Sequence, residues 1–148
     1  MLGPYSFEFV GFIEPARDGN GAIRAHRPQA RYAKARQTKL HKYGDGEFCK
    51  VLVPGLPASE GVYAVFAGQD LAYIGEAVNL RKRWYDYGQI SPRKCYVGGQ
   101  ETNCRVNKLI LQTAQRTTIV TLWFHETNMR KRIEQELRDR FRPPWNAV

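Results

Sequence analysis

Two tyrosines and an arginine stand at spacings that could bring their polar ends together. Tyr63 lies in Gly61-Val62-Tyr63 and Tyr73 in Tyr73-Ile74-Gly75. Both fall in short runs of β-branched and aromatic residues, Val62 to Phe66 and Leu71 to Ile74, separated by Gly68-Gln69-Asp70. That pattern predicts a β-hairpin. Side chains alternate faces along a strand, which groups Tyr63 with Val65 and Leu71 with Tyr73, and a suitable register makes the two phenols converge. Downstream, Leu80, Arg83, Trp84 and Tyr87 occupy i, i+3, i+4 and i+7 of a helical stretch. Arg83 therefore points with the apolar stripe, where a guanidinium is costly unless it meets an anion or an acceptor. Hydroxyls beside an inward-facing cation suit the handling of an anionic group.

The charge balance names the class of anion. Among 148 residues, Lys and Arg outnumber Asp and Glu by 23 to 14, a formal charge of +9. Such an excess points to a polyanion, with nucleic acid the default. From Gly19 to Gly44 there is no acidic residue, while Arg24, Arg27, Arg31, Lys34, Arg36, Lys39 and Lys42 recur beside Tyr32 and Tyr43. This spacing suits an arm that follows a phosphate backbone, and its cations would position a strand without reading its sequence. Arg93 and Lys94 in a turn-rich loop, and Arg105 and Lys108 on the outer face of the following helix, extend the candidate contacts.

Other classes find little support. Cys49, Cys95 and Cys104 are odd in number and form no C-x-x-C pair, so neither a disulfide framework nor a four-ligand zinc site is expected. His26, His41 and His125 lack metal-ligand spacing. No apolar run approaches the roughly 20 residues of a membrane span, and a soluble, cytoplasmic protein is the expectation.

The elements that must position these groups follow in chain order. Tyr5 to Ile13 and Ala22-Ile23-Arg24 flank Asp18-Gly19-Asn20-Gly21 and predict an N-terminal hairpin. Phe48 to Val53 reads as one strand, and Pro54-Gly55-Leu56-Pro57 separates it from the central hairpin. Asn79 is a good N-cap for a helix that Gly88 ends. Ser91 to Thr102 reads as a loop, and Thr102 or Asn103 caps a helix with Val106, Leu109, Ile110 and Thr113 inward. Thr118 to Phe124 predicts a third strand beside the hairpin. Met129, Ile133, Leu137 and Phe141 repeat every four residues on a last helix stopped by Pro143-Pro144.

Taken together, G-V-Y, Y-I-G, N-L-x-x-R, a tyrosine four residues later and E-x-x-L-x-x-x-F-x-P-P-W-N occur in one order from Gly61 to Asn146. The pattern resembles the GIY-YIG nucleases, metal-dependent enzymes that cut nucleic-acid backbones. The segment from Gly98 to Asn107 looks like an insertion found in small restriction-type and phage members. By resemblance, Tyr63 is the general base or water-orienting group and Tyr73 a second hydroxyl at the scissile phosphate. Arg83 matches the arginine that holds that phosphate, and Tyr87 matches its helix partner. Glu134 matches the metal-binding carboxylate and Asn146 a bracing asparagine.

Elementary chemistry sets the demands on such a site. Phosphodiester hydrolysis needs a positioned water and neutralisation of charge on the phosphoryl and leaving oxygens. A guanidinium, planar and always charged, suits the phosphoryl side. A tyrosine with an ordinary pKa of about 10 is mostly protonated at neutral pH and needs nearby positive charge or a hydroxyl relay to act as a base. Many restriction-type relatives carry lysine directly after Y-I-G, whereas this chain has Glu76, which would disfavour a phenolate if it faced the tyrosines. Helix geometry does not choose between Glu134 and Glu136, which flank the apolar stripe almost symmetrically. The resemblance, through the spacing to Pro143 and Asn146, selects Glu134.

The expected architecture is an α/β fold: a small GIY-YIG-like domain with a three-stranded central antiparallel sheet flanked by helices, and an N-terminal β-hairpin extension. Residues 1–58 would form the hairpin and basic arm and 59–148 the catalytic domain. The expected activity is DNA endonuclease, with one Mg²⁺ or Mn²⁺ per site, double-stranded DNA as partner and a homodimer at least on DNA. A nucleic-acid-binding module without turnover on the same scaffold is the alternative.

Overall fold

The computed structural model describes residues 1–29 and 39–146. Its centre is an antiparallel sheet in the order β1 (Glu8–Phe12), β8 (Val120–Glu126), β6 (Gly61–Ala67) and β7 (Asp70–Ala77). Between β1 and β6 the described residues make four two-residue strands: β2 (Glu14–Pro15), β3 (Ala25–His26), β4 (Phe48–Cys49) and β5 (Val51–Leu52). Among the described residues the α-helices are α1 (Leu80–Tyr87), α2 (Glu101–Gln115) and α3 (Arg130–Phe141), with a 3₁₀ turn at Pro92–Cys95.

The hairpin forms where β-branched and aromatic residues predict it, with Gly68 at φ +62° making the turn. Its two faces separate two cores. Tyr63, Val65, Leu122 and Phe124 pack with Leu80, Trp84 and Tyr87 of α1 and Val106 and Ile110 of α2. Val62, Ala64 and Ile74 face the other way, toward Ile133 and Leu137 of α3 and toward Leu2 and Phe7. A third cluster of Phe48, Ile90, Cys95, Tyr96 and Cys104 holds the 3₁₀ turn and the start of α2 to β4.

The central sheet has four strands, not three. The N-terminal segment does not fold back along its whole length as a hairpin; β1 pairs antiparallel with β8, placing Phe9 opposite Trp123 with their rings edge-on at 5.5 Å. Cross-strand aromatic contact and a ladder along β8, interrupted by an irregularity between Phe9 and Gly11, outweigh a local hairpin. The tight turn survives: Asp18 Oδ1 accepts from the amides of Asn20 and Ala22, and Arg17 bridges Ile23. Phe48 to Val53 is likewise divided, β4 pairing with β3 and β5 with β2.

Smaller departures have local causes. An irregularity after Val65 pairs Phe66 with Leu71, so Leu71 joins the α3 side while Tyr73 stays with Tyr63. α2 begins at Glu101, before either predicted cap, with Gln100 at the N-cap. On α3 only Ile133 and Leu137 are buried; Met129 and Phe141, at the helix ends, stay exposed.

Candidate active site

Tyr63, Tyr73, Tyr87 and Arg83 meet between the hairpin and α1. Asn79 starts α1 by accepting the Lys82 amide at 3.0 Å. That start fixes the helix phase, so Leu80, Trp84 and Tyr87 are buried and Arg83 stands half-buried beside them. The Tyr63 and Tyr87 hydroxyls lie 2.6 Å apart, and Tyr73 reaches the same Tyr87 hydroxyl at 3.4 Å. The Arg83 guanidinium lies 4.5 Å from the Tyr87 ring centre. Its Nε is buried with no hydrogen-bond partner, a donor left unsatisfied on a permanent cation.

The Y-I-G glycine is required by this packing. Tyr63 pairs with Gly75 across the hairpin, and a Cβ on Gly75 would run into the Tyr63 ring and hydroxyl. Only a residue without a side chain lets that phenol cross β7 toward Tyr87.

The electrostatics favour neutral phenols around a permanent charge. Burial pushes the Tyr63 hydroxyl well above the usual phenol range, and Tyr73 adds to the rise against the pull of Arg83. Tyr87 is raised in the same way, chiefly by burial. For Arg83, burial works against the charge, but the oxygens of Tyr87 and Tyr63 outweigh it and raise its pKa further. These phenols keep their protons at neutral pH.

Glu76 faces away from the cluster. It pairs with Val62 in the register, on the α3 side, and its carboxylate forms a short ion pair with Arg130. Arg130 also reaches Glu60 at 3.3 Å. Glu76 nevertheless lines a cleft of about 560 Å³ that it shares with Asn79, Lys82, Arg83, Asp86 and Arg130, so the cleft spans from α1 to the first turn of α3.

Glu134 is paired within its own helix. It lies one turn beyond Arg130 on α3, its side chain is 17% exposed, and its carboxylate pairs with Arg138 at 3.1 Å. Glu136 is turned toward the N-terminal segment, where it accepts a short hydrogen bond from Tyr5. Among the described residues no three His, Cys, Asp or Glu side chains gather as a ready metal cage. Glu134 by itself would offer an ion one carboxylate, since Glu136 is held by Tyr5 and Asp139 by Gln135; one carboxylate fits an ion that retains water and takes substrate oxygens, such as Mg²⁺, and does not fit a closed all-protein site.

Asn146 lies against the outer edge of β7. Its Oδ1 accepts from the Ile74 amide at 3.0 Å and its Nδ2 donates to the Ile74 carbonyl at 2.8 Å, while the Trp145 amide donates to Ala72. The Pro-Pro-Trp-Asn segment thus pairs the outer edge of β7.

The basic candidates divide by what they already hold. Arg27 pairs with Asp45 on the surface, and Lys39, Lys42 and Arg93 are exposed. Lys94 is turned inward: its ammonium donates to the Asp86 and Gln89 carbonyls at 2.8 and 2.6 Å, securing the end of α1. Lys108 donates to the Asp45 carbonyl, and Arg105 lies near the Tyr43 ring with its Nε buried and unpaired. Arg31, Lys34 and Arg36 lie outside the described residues.

Sequence reasoning passed over Asn107. Fully buried on α2, it accepts from the Cys49 amide and donates to the Cys49 and Tyr87 carbonyls, tying β4 and the end of α1 to α2. A polar residue one turn after Asn103 on an apolar face was the available signal.

No protein-family model and no curated protein matches the sequence. Among solved structures, the fold is similar to that of a mutant of EndoII from bacteriophage T4, with a TM-score of 0.53 and 20% identity, over 82% of this chain and 100% of that one. The likeness is one of fold.

Proposed function

We propose that this protein is a divalent-metal-dependent DNA endonuclease of the GIY-YIG type, restriction-type or phage-type, that hydrolyses phosphodiester bonds. The observation that carries the reading is the Tyr63–Tyr87–Tyr73 hydroxyl chain beside the Arg83 guanidinium, with an unpartnered donor on that guanidinium. The fold likeness to EndoII, an endonuclease by its name, supports it.

Arg83 binds a non-bridging oxygen of the scissile phosphate and neutralises charge that grows there. Because burial holds the phenols protonated, Tyr63 and Tyr87 orient a water and pass hydrogen bonds through their hydroxyls; neither is a standing phenolate. Tyr73, the least enclosed of the three, is the second hydroxyl at the phosphate. Glu134 would hold the Mg²⁺ or Mn²⁺ ion, one per site, after exchanging Arg138 for it. Such an ion supplies Lewis-acid stabilisation of the leaving oxygen. Asn146 braces β7 behind Tyr73, and Arg27, Lys39, Lys42, Arg93, Arg105 and Lys108, with the arm that includes Arg31, Lys34 and Arg36, contact the duplex backbone. Double-strand cleavage by one site per chain calls for a homodimer on DNA, and the cytoplasm is the setting.

Incubation of supercoiled plasmid with Mg²⁺ or Mn²⁺ tests this. Nicking or linearisation that is lost in Arg83→Ala and Glu134→Ala supports it, and retention of DNA without cutting refutes it. The second reading, a binding module without turnover, draws on the Glu134–Arg138 pair, which already occupies the carboxylate that would hold the ion.

A further inference from the structure

We infer that Arg130 is a positioning residue of the cleft beside Arg83: it screens the Glu76 carboxylate and so makes the cleft accept a phosphate strand. This rests on the nucleic-acid reading above. The cleft is lined by three cations, Lys82, Arg83 and Arg130, and two carboxylates, Glu76 and Asp86. Without Arg130 the count becomes two against two, and the carboxylate that follows Tyr73-Ile74-Gly75 stands unpaired in a space meant for an anion.

The geometry is built for screening. Arg130 is the first residue of α3, and its guanidinium is held from two sides, by Glu76 and by Glu60 at 3.3 Å. A cation gripped by two carboxylates is fixed in place and has little charge left to offer a passing phosphate. Its effect is therefore local: it offsets the Glu76 carboxylate at the cleft wall, while its second partner, Glu60, does not line the cleft. The α3 N-terminus adds to the same side, since Met129 provides no side-chain cap and the first turn carries no acidic residue. Arg83 and Lys82 are left to meet the strand.

Duplex binding by the full-length protein, measured in EDTA over a series of salt concentrations, tests the assignment without relying on cleavage. Arg130→Ala should weaken binding roughly tenfold, since an unscreened carboxylate repels the phosphates at short range. Arg130→Ala combined with Glu76→Gln should recover most of that loss. The slope of log affinity against log salt should be the same for wild type and the double variant, because Arg130 itself neutralises no phosphate. Thermal melting of each variant confirms that it is folded. A double variant that binds no better than Arg130→Ala overturns the inference, as does a slope that falls by about 0.9, the mark of a lost direct phosphate contact. Wild-type protein that fails to bind any duplex overturns the nucleic-acid reading and this inference with it, a result distinct from the other two.

Discussion

The phenol of Tyr63 lies directly across Gly75, its partner in the hairpin register, and continues to the hydroxyl of Tyr87. One glycine on β7 therefore sets the position of a hydroxyl on β6 relative to α1.

Gly75→Ala is expected to displace the Tyr63 ring and break its contact with Tyr87. Overpacking of this kind costs about 1–3 kcal/mol. A lowered melting temperature together with loss of plasmid nicking is the outcome to look for; a variant that melts and cuts like wild type would show that the ring does not need that space.

Tyr63→Phe keeps the ring and removes one end of the 2.6 Å contact. A drop in cleavage of about 10²-fold or more fits a hydroxyl that orders the reacting water, with a stability change of about 1 kcal/mol. Full activity in Tyr63→Phe would remove Tyr63 from the mechanism.

The buried phenols also set an alkaline limit on stability. Their folded pKa values are raised, so above pH 10, the ordinary phenol value, the unfolded chain releases protons that the folded chain keeps. Their contribution is fully present below that pH and declines as pH rises beyond it. Denaturant midpoints should stay level with respect to these groups from pH 6 to about 9 and then fall. The fall should be shallower in the Tyr63→Phe and Tyr87→Phe variants.

Asn107→Ala strands the Cys49 amide and the Cys49 and Tyr87 carbonyls in the core. Unsatisfied buried groups make this expensive, about 3 kcal/mol. Urea denaturation should report it, while Asn107→Asp, which keeps the acceptor and loses the donors, should not recover it.

Asn146→Ala removes both hydrogen bonds to Ile74 and leaves part of the β7 edge unpaired. A loss of about 1–2 kcal/mol and greater aggregation on heating are expected, measured by calorimetry and light scattering.

The meeting of Tyr63 and Tyr73 with Arg83 is partly legible in the sequence. Local rules place Tyr63 and Tyr73 on a hairpin, because strand propensity and turn glycines act over a few residues. They also place Arg83 on the stripe of α1, because a capped helix has a fixed phase once Asn79 starts it. What local rules could not supply is pairing between distant segments. The attachment of Phe9 to Trp123, the burial of Asn107 against Cys49 and Tyr87, and the inward turn of Lys94 all depend on partners far away in the chain or on the other side of a turn. The direction of Glu76 needed the strand register, and its partner Arg130 comes from a helix more than fifty residues later. Glu134 and Glu136, equivalent on a helical wheel, became different only when the N-terminal segment claimed Glu136 through Tyr5. Composition and periodicity determine which side chains are polar, which are buried and which share a face. Tertiary structure alone decides which of those polar groups neutralise one another and which remain open to a ligand, because that choice is made by contacts across elements.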